Sequence, residues 1–371
     1  NTTGDEVFDG TLNQALAVKL DESPYINVFP EERVRATLER MQRSPDDRVT
    51  RAVGREVCQR QGIKAMMTGE ISALGESYIV NLNAVDCQTG DALVREQVTA
   101  ESKESVIPSL GKAASKMRRG LGESLASIEQ YDAPLEESTT SSLEALKAFD
   151  QGVRARATGG DHAALPFFER AIELDPNYAT AHARIATAMA NIGGRRPEVV
   201  EHRKKSYELR DRVSALERLY IEAHYYDDIE GDSEKVIDTY ELWRATYPRD
   251  WTPANNLAVQ HLQLGQWDKA VDNARGALDL MPDNVLPYFN ITQNIFQGLR
   301  ALIDPQIPKE RYRIGQSVRT LLAEVSKGTR GPHIRLSRTH RGMLRRLMER
   351  EVPEIYSGAV EIKSIAREPG Q

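Results

Sequence analysis

Between residues 1 and 130 the apolar positions change period along the chain, and each change predicts an element. Leu12, Leu16 and Leu20 recur every fourth residue with Ala15 beside them, which predicts an amphipathic helix over 10–20. Ser23-Pro24 breaks it, and the run Tyr25-Ile26-Asn27-Val28-Phe29 reads as a short buried strand. Pro30 then opens a second helix with Val34, Leu38 and Met41 on one face, since proline suits a first helical turn. Val53 and Val57 mark a third helix over 50–61, followed by a strand over 63–71. Tyr78, Val80, Leu82 and Ala84 alternate with Ile79, Asn81 and Asn83, the period of a half-buried strand. After the turn Thr89-Gly90-Asp91, residues 93–100 return as its partner, and Ser102 is placed to cap a long last helix carrying Val106, Leu110, Ala114, Met117 and Leu121. The order predicts a small α/β sandwich, a mixed sheet with helices packed on it.

Residues 131–142 are polar and include Ala133-Pro134 and a Ser/Thr run, a linker whose Ser141 or Ser142 caps the next helix. Beyond it the pattern repeats. Pro176, Pro248 and Pro282 each close an apolar helical segment; the last two lie 34 residues apart and the first two 72, two such periods with a small insertion. Within 145–176, Gly152, Ala164 and Ala171 are small where two helices cross, and Phe168 fills the space between them. The unit ending at Pro282 has Ala258, Gly265, Ala270 and Ala277 at equivalent places, with Trp267 in the turn. The unit before it keeps the large Tyr240 but has His224, Val236 and Trp243 instead of small residues, and the unit from Ala179 keeps Ala186 before Gly193-Gly194-Arg195-Arg196-Pro197. A period of 34 with these residues resembles the tetratricopeptide repeat (TPR). The predicted class is therefore α+β with two domains: the α/β sandwich over 1–130, then an all-α TPR solenoid over 143–298.

The first domain also carries a resemblance. NTTGDEVFDGTLNQALAVKL (1–20), SPYINVFPEERV (23–34), REVCQRQGIKAMMTGEI (55–71) and GESYIVNLNAVDCQTGDALVREQVTAESKE (75–104) resemble the TolB amino-terminal-like domain. Followed by such repeats, they are similar to the sensor half of certain bacterial serine/threonine protein kinases. The resemblance covers roughly 1–296. It implies a non-catalytic sensing or scaffolding region, on the extracytoplasmic (periplasmic) side of the inner membrane, from a protein with a kinase and a membrane helix upstream. In that family a strand ending in Asp-Phe precedes the position of Asn1, so the sheet here is expected to lack one strand. The alternative is the regulatory TPR module of a cytoplasmic transcription regulator or cyclase.

Composition narrows the chemistry. The 371 residues are 40% hydrophobic and 28% charged, with no apolar run approaching the roughly 18 residues that span a bilayer. Cys58 and Cys87 read first as small buried residues; a disulfide between them stays open, because spacing does not decide pairing. The net charge of −6 is uneven: from residue 300 onward 15 Lys and Arg face 8 Asp and Glu, leaving 34 against 47 before it. The repeat pattern stops near 298. Tyr288, Phe289, Ile291 and Ile295 suggest one further helix, and Met343, Leu344, Leu347 and Met348 another. Three readings of the basic segment 299–371 compete: a helical cap, a nucleic-acid-binding tail, or an out-of-frame or spliced end.

No catalytic motif is present: there is no Gly-rich phosphate loop, no His-Arg-Asp or Asp-Phe-Gly, no His-Glu-x-x-His and no Cys-x-x-Cys. No enzyme activity, cofactor or metal is expected. The His residues are scattered, and the acidic run 227–232 departs from calcium-loop spacing and reads as a solvated turn. Stacked repeats present a concave face to extended peptides. By repeat phase that face carries Arg184, Thr187 and Asn191 from one unit and Asn255, Val259 and Gln263 from another, side chains able to hold a peptide backbone or carboxylate. A protein or peptide is the expected partner, and no nucleic acid.

Overall fold

The computed structural model describes residues 1–45, 49–193 and 196–282, strands at 321–328 and 331–337, and positions 287, 288, 290, 348, 352, 355, 360 and 362–364. The predicted helices around 289–295 and 339–351 lie largely outside them.

The first domain runs α1 (Thr11–Asp21), α2 (Glu31–Arg40), α3 (Arg51–Arg60), β1 (Ala65–Leu74), β2 (Ser77–Asp86), β3 (Ala92–Ala100) and α4 (Val106–Gly120). Pro30 stands at the N-cap of α2, and the Thr50 side chain caps α3. The strands form an antiparallel meander in the order β1-β2-β3, with Val80 opposite Ile71 on one side and Val98 on the other. The sheet is therefore not mixed. The expected strand at 25–29 pairs with nothing, and Tyr25 is 64% exposed; its apolar residues serve helix packing instead, with Phe29 against Leu38 and Val34 and the Arg33 guanidinium over its ring. The last helix starts later than the Ser102 prediction, with Ser105 at its N-cap. Its apolar face (Val106, Ile107, Leu110, Ala113, Met117) covers Ile71, Val80, Leu82 and Ala84. Each Val, Ile, Leu or Met among them, fully buried, contributes about 1.5–3 kcal/mol. Cys58 and Cys87, both buried, form a disulfide with Cα atoms 5.9 Å apart, tying α3 to the end of β2.

Two short helices follow, α5 (Leu125–Tyr131) and α6 (Leu135–Ser138), the second inside the segment expected as a linker. Leu135 is buried against Gly111 of α4. Then come α7 (Leu143–Leu174), α8 (Ala179–Asn191), α9 (Arg196–Glu208), α10 (Ala215–Tyr225), α11 (Ser233–Thr246), α12 (Thr252–Gln263) and α13 (Trp267–Leu280). Ser142 caps α7 as expected, its Oγ accepting from the Ala145 amide at 3.1 Å. Inside α7 the chain breaks at Gly160, whose φ of 72° is open to glycine and costly for other residues. The break turns α7 into two legs that pack on each other. A Cβ at Gly152 would lie 2.5 Å from the Phe168 ring, so only glycine permits this crossing. Consecutive helices stack α7 on α8, α8 on α9, α10 on α11, α11 on α12 and α12 on α13. Ala164, Ala171, Ala186, Ala258, Ala270 and Ala277 are fully buried at the crossings. Where small residues are missing, Tyr220, Val236, Tyr240 and Trp243 build a separate aromatic core. The chain is thus an α+β protein, a three-stranded sheet domain followed by a solenoid of helical pairs.

The two parts share a core. Leu143 and Leu146, on the first turn of α7, pack with the sheet residues. Lys147 Nζ donates to the Glu6 carbonyl at 2.8 Å, and the Tyr247 hydroxyl donates to the Glu22 carbonyl at 3.4 Å.

In the basic segment the described elements are β4 (Leu321–Gly328) and β5 (Gly331–Ser337), an antiparallel hairpin. A helical cap is therefore not what occupies 321–337.

Candidate functional site

The residues assigned by repeat phase to the concave face are mostly engaged already. Arg184 of α8 lies with its guanidinium 4.3 Å from the centre of the Tyr220 ring. Thr187 Oγ1 is 2.5 Å from the Tyr220 hydroxyl and accepts from Arg203 at 3.1 Å. Asn191 donates to Asp161 at 2.8 Å. On α12, Asn255 is buried, donates to Asn256 and accepts from Asn290 at 2.8 Å; Val259 is half-buried and Gln263 exposed. Repeat phase assumes that the inner face looks onto solvent. Here α1 of the first domain lies across its first turns, and what remains between them is a cavity.

That cavity measures about 300 Å³. Gln14, Val18 and Asp21 of α1 form one wall; Phe149, Val153, Arg156 and Phe168 of α7 form another. Thr180 and Arg184 of α8, Glu217 and Tyr220 of α10, Trp243 of α11 and Asp250 complete it. Three carboxyl groups thus face two guanidiniums, and Arg156 is already paired with Asp161 at 2.7 Å. Burial pushes the Glu217 carboxyl up to about 7, against the pull of Thr180, Arg184 and the Ser214 amide. Asp21 also rises to about 7, by burial first and then by the charges of Asp250 and Glu217. Asp250 is raised by burial, although Trp243 Nε1 donates to it at 3.0 Å and the Thr252 amide at 2.9 Å. Thr180 is 4% exposed and its hydroxyl faces the Glu217 carboxyl, and Thr180 Oγ1 and Glu217 Oε2 have no closer partner. Buried polar atoms without partners are uncommon and call for an explanation.

Sequence reasoning missed a second charged cluster on the other side of α1. Arg118 of α4 and Glu22 are fully buried and Lys19 nearly so. Arg118 makes a two-pronged contact with Glu123, 2.9 Å for each prong, and reaches Glu22 at 3.2 Å and Asp132 at 3.1 Å. Lys19 pairs with Glu22 at 2.7 Å and Asp132 at 2.9 Å, and donates to the Ala133 carbonyl. Burial acts to raise the Glu123 carboxyl, but bonds from Arg118 and from Ser127 outweigh it and hold it below its ordinary value. Glu22 is pushed up to about 7 by burial, with Lys19 opposing. Partners 96 residues apart, as Glu22 and Arg118 are, leave no local signal.

His182 and His202 pack against each other. His182 Nε2 lies 3.0 Å from the Pro176 carbonyl, which can only accept, so Nε2 carries the proton and Nδ1 accepts from His202 Nδ1 at 2.9 Å. Burial lowers both rings below the ordinary imidazole value. Among the described residues no group of three His, Cys, Asp or Glu is arranged to hold a metal ion. The acidic run is more than a solvated turn: Asp228 accepts from the buried Arg203 at 2.7 Å, and Asp232 caps α11. Gly194 and Arg195 lie outside the described residues. No described helix is long and apolar enough to cross a membrane.

Comparison with known proteins divides the chain. Among solved structures, the chain overlaps the crystal structure of MamA (20% identity, 43% of this chain and 85% of that one, TM-score 0.28) and the APC/C assembly Cut9–Hcn1 (14% identity, 52% and 40%, TM-score 0.33). At these scores the overlaps assign no family, and the description as stacked helical pairs rests on the packing itself. The basic segment gives a different result. A family model for the NusA-like first KH domain matches residues 338–371. The transcription termination/antitermination protein NusA of Halalkalibacterium halodurans is 52% identical over 68 residues, and that of Bacillus subtilis 50% over 68, each 18% of this chain. NusA of Helicobacter pylori is 37% identical over 95 residues. The chain spans only 18% of the length of the first two relatives. An out-of-frame reading would not preserve such identity, so that half of the third reading is set aside and a spliced end is not; residues 338–371 are similar to the NusA-like first KH domain.

Proposed function

We propose that the chain is a non-catalytic protein-interaction scaffold and, by its resemblance, the extracytoplasmic sensing half of a membrane-anchored bacterial serine/threonine kinase. The observation that carries this reading is the stack of helical pairs over 143–281, joined through a shared core to a domain stapled by Cys58–Cys87. Stacked pairs offer long surfaces to protein partners. A disulfide favours an oxidising compartment, which weighs against the cytoplasmic regulator or cyclase. Sequencing the gene through both flanks tests it. An apolar span and kinase motifs upstream are expected; a DNA-binding or cyclase domain with no span would overturn the proposal. The chain alone is expected to transfer no phosphate from ATP, and measurable transfer would overturn its non-catalytic character.

The NusA-like segment favours a second reading, confined to the tail: contact with single-stranded nucleic acid, against the expectation of none. KH modules clamp nucleotides with a Gly-x-x-Gly loop, and 338–371 contains no such sequence. The support is the match itself and the excess of Lys and Arg. Filter binding of single-stranded RNA to the full chain at 50 and 200 mM salt tests it. Affinity that falls steeply with salt and disappears on deleting 299–371 is expected. Equal affinity for the deleted chain would refute it.

A further inference from the structure

We propose that the cavity between α1 and the first repeats is a binding site for a small organic ammonium cation with an aromatic or apolar body. The volume of about 300 Å³ is at the lower end of the range for small-molecule sites, too large for a packing defect. Its walls are mixed in the manner such sites require. Phe149, Phe168, Tyr220 and Trp243 supply apolar and ring surface, and Val18 and Val153 continue it.

The polar groups set the sign of the ligand. Asp21 enters from α1, Glu217 from α10 and Asp250 from the turn before α12. The cations opposing them are Arg184 on α8, which is spread over the Tyr220 ring, and Arg156 on α7, whose Nε is committed to Asp161. Negative charge is therefore in excess within the walls. Thr180 and Glu217 are independent of that count, since beyond each other neither Thr180 Oγ1 nor Glu217 Oε2 has a partner. Thr180 Oγ1 accepts as well as donates, and Glu217 Oε2 only accepts. An ammonium group at the Glu217 carboxylate supplies a charged donor where the fold gives only the neutral Thr180 hydroxyl, and the apolar walls receive the body that carries it. An anion would meet three carboxylates, and a neutral apolar body would leave the excess negative charge unmet. This inference goes beyond the scaffold reading and does not depend on it, since the walls belong to this chain alone.

Isothermal titration of the full chain at pH 8 with 2-phenylethylammonium tests the site, with 2-phenylethanol and 3-phenylpropanoate as neutral and anionic counterparts. One-to-one binding of the ammonium compound is expected, at least tenfold tighter than either counterpart. Glu217→Gln should weaken it at least tenfold and Thr180→Val severalfold. If Glu217→Gln fails to fold by circular dichroism, Asp21→Asn takes its place. No heat of binding up to millimolar ammonium compound, equal affinity for the alcohol, preference for the anion, or affinity unchanged in the folded variants would each overturn the site. Failure here leaves the protein-interaction reading intact, because no protein partner enters the measurement.

Discussion

Two groups of charges flank α1, one buried and one half-buried, and they differ in how far their charges are met. Around Arg118, two cations and three carboxylates sit within ion-pair distance, and Ser115 and Ser127 supply further hydrogen bonds. Around Glu217, three carboxylates share the cavity with one guanidinium over an aromatic ring and another paired elsewhere. The first group fastens α1 to α4 and, through Tyr247, to the repeats. The second is left open in a space large enough for a ligand. Burial raises a carboxyl in both groups, Glu22 in the first and Glu217 and Asp21 in the second, so what separates them is the ion pairing of the first and the open space beside the second.

The largest expected effect comes from breaking the matched group. Arg118→Met removes a buried cation from Glu22, Glu123 and Asp132, and uncompensated buried charge of this kind costs about 3–5 kcal/mol. Urea unfolding followed by circular dichroism measures it, and a loss under about 1 kcal/mol would mean that the cluster is not a clamp. The opposite sign is expected in the cavity. Glu217→Gln removes an unmet carboxylate, so at pH 8 stability should rise by roughly 1–3 kcal/mol and at pH 5 barely change.

The wild-type pH profile follows from the same groups. Glu217, Asp21 and Glu22 hold their protons in the fold up to about pH 7. In the unfolded chain they release them near 4. Between those values the folded state binds more protons, so stability is greatest on the acid side and falls as pH rises through about 7. Each group contributes up to about 1.4 kcal/mol per pH unit across the window. His182, His202, His224 and His261, held below their ordinary value by burial, act in the opposite sense below about pH 6.5. The melting temperature of Glu217→Gln relative to wild type, rather than the bare profile, should therefore rise between about pH 5 and 7. The smallest effect belongs to exposed pairs: Arg170→Ala removes a contact with Glu173 that is open to water on both sides. A change within about 0.5 kcal/mol is expected in the same urea assay.

What the sequence disclosed follows how local each signal was. Gly152 and Phe168 declared the first helical crossing, because a small residue facing a large one at repeat spacing leaves few other geometries. The alternation at Tyr78–Ala84 located β2 for the same reason. Residues 25–29 misled, since a strand needs a partner as well as an apolar run, and Phe29 found its partners on α2 instead. The disulfide was open from spacing alone and is decided by the fold, which brings α3 to the end of β2. Repeat phase put Arg184 on an open groove, but it carries no knowledge of α1, which comes from another domain and makes a cavity beside that residue. The Arg118 cluster joins residues far apart in sequence, and nothing local announces it. The tail has neither the repeat period nor a recognisable domain pattern, so its similarity to NusA emerged only by direct comparison.

The claim that the Glu217 carboxylate lacks its cation is tested most directly by following its side-chain carbon resonance by NMR between pH 4 and 9. A midpoint near 7 is predicted for the free protein, moving down when 2-phenylethylammonium is added, because a bound cation favours the ionised form. A midpoint near the ordinary value of about 4.3, unmoved by the amine, would contradict it.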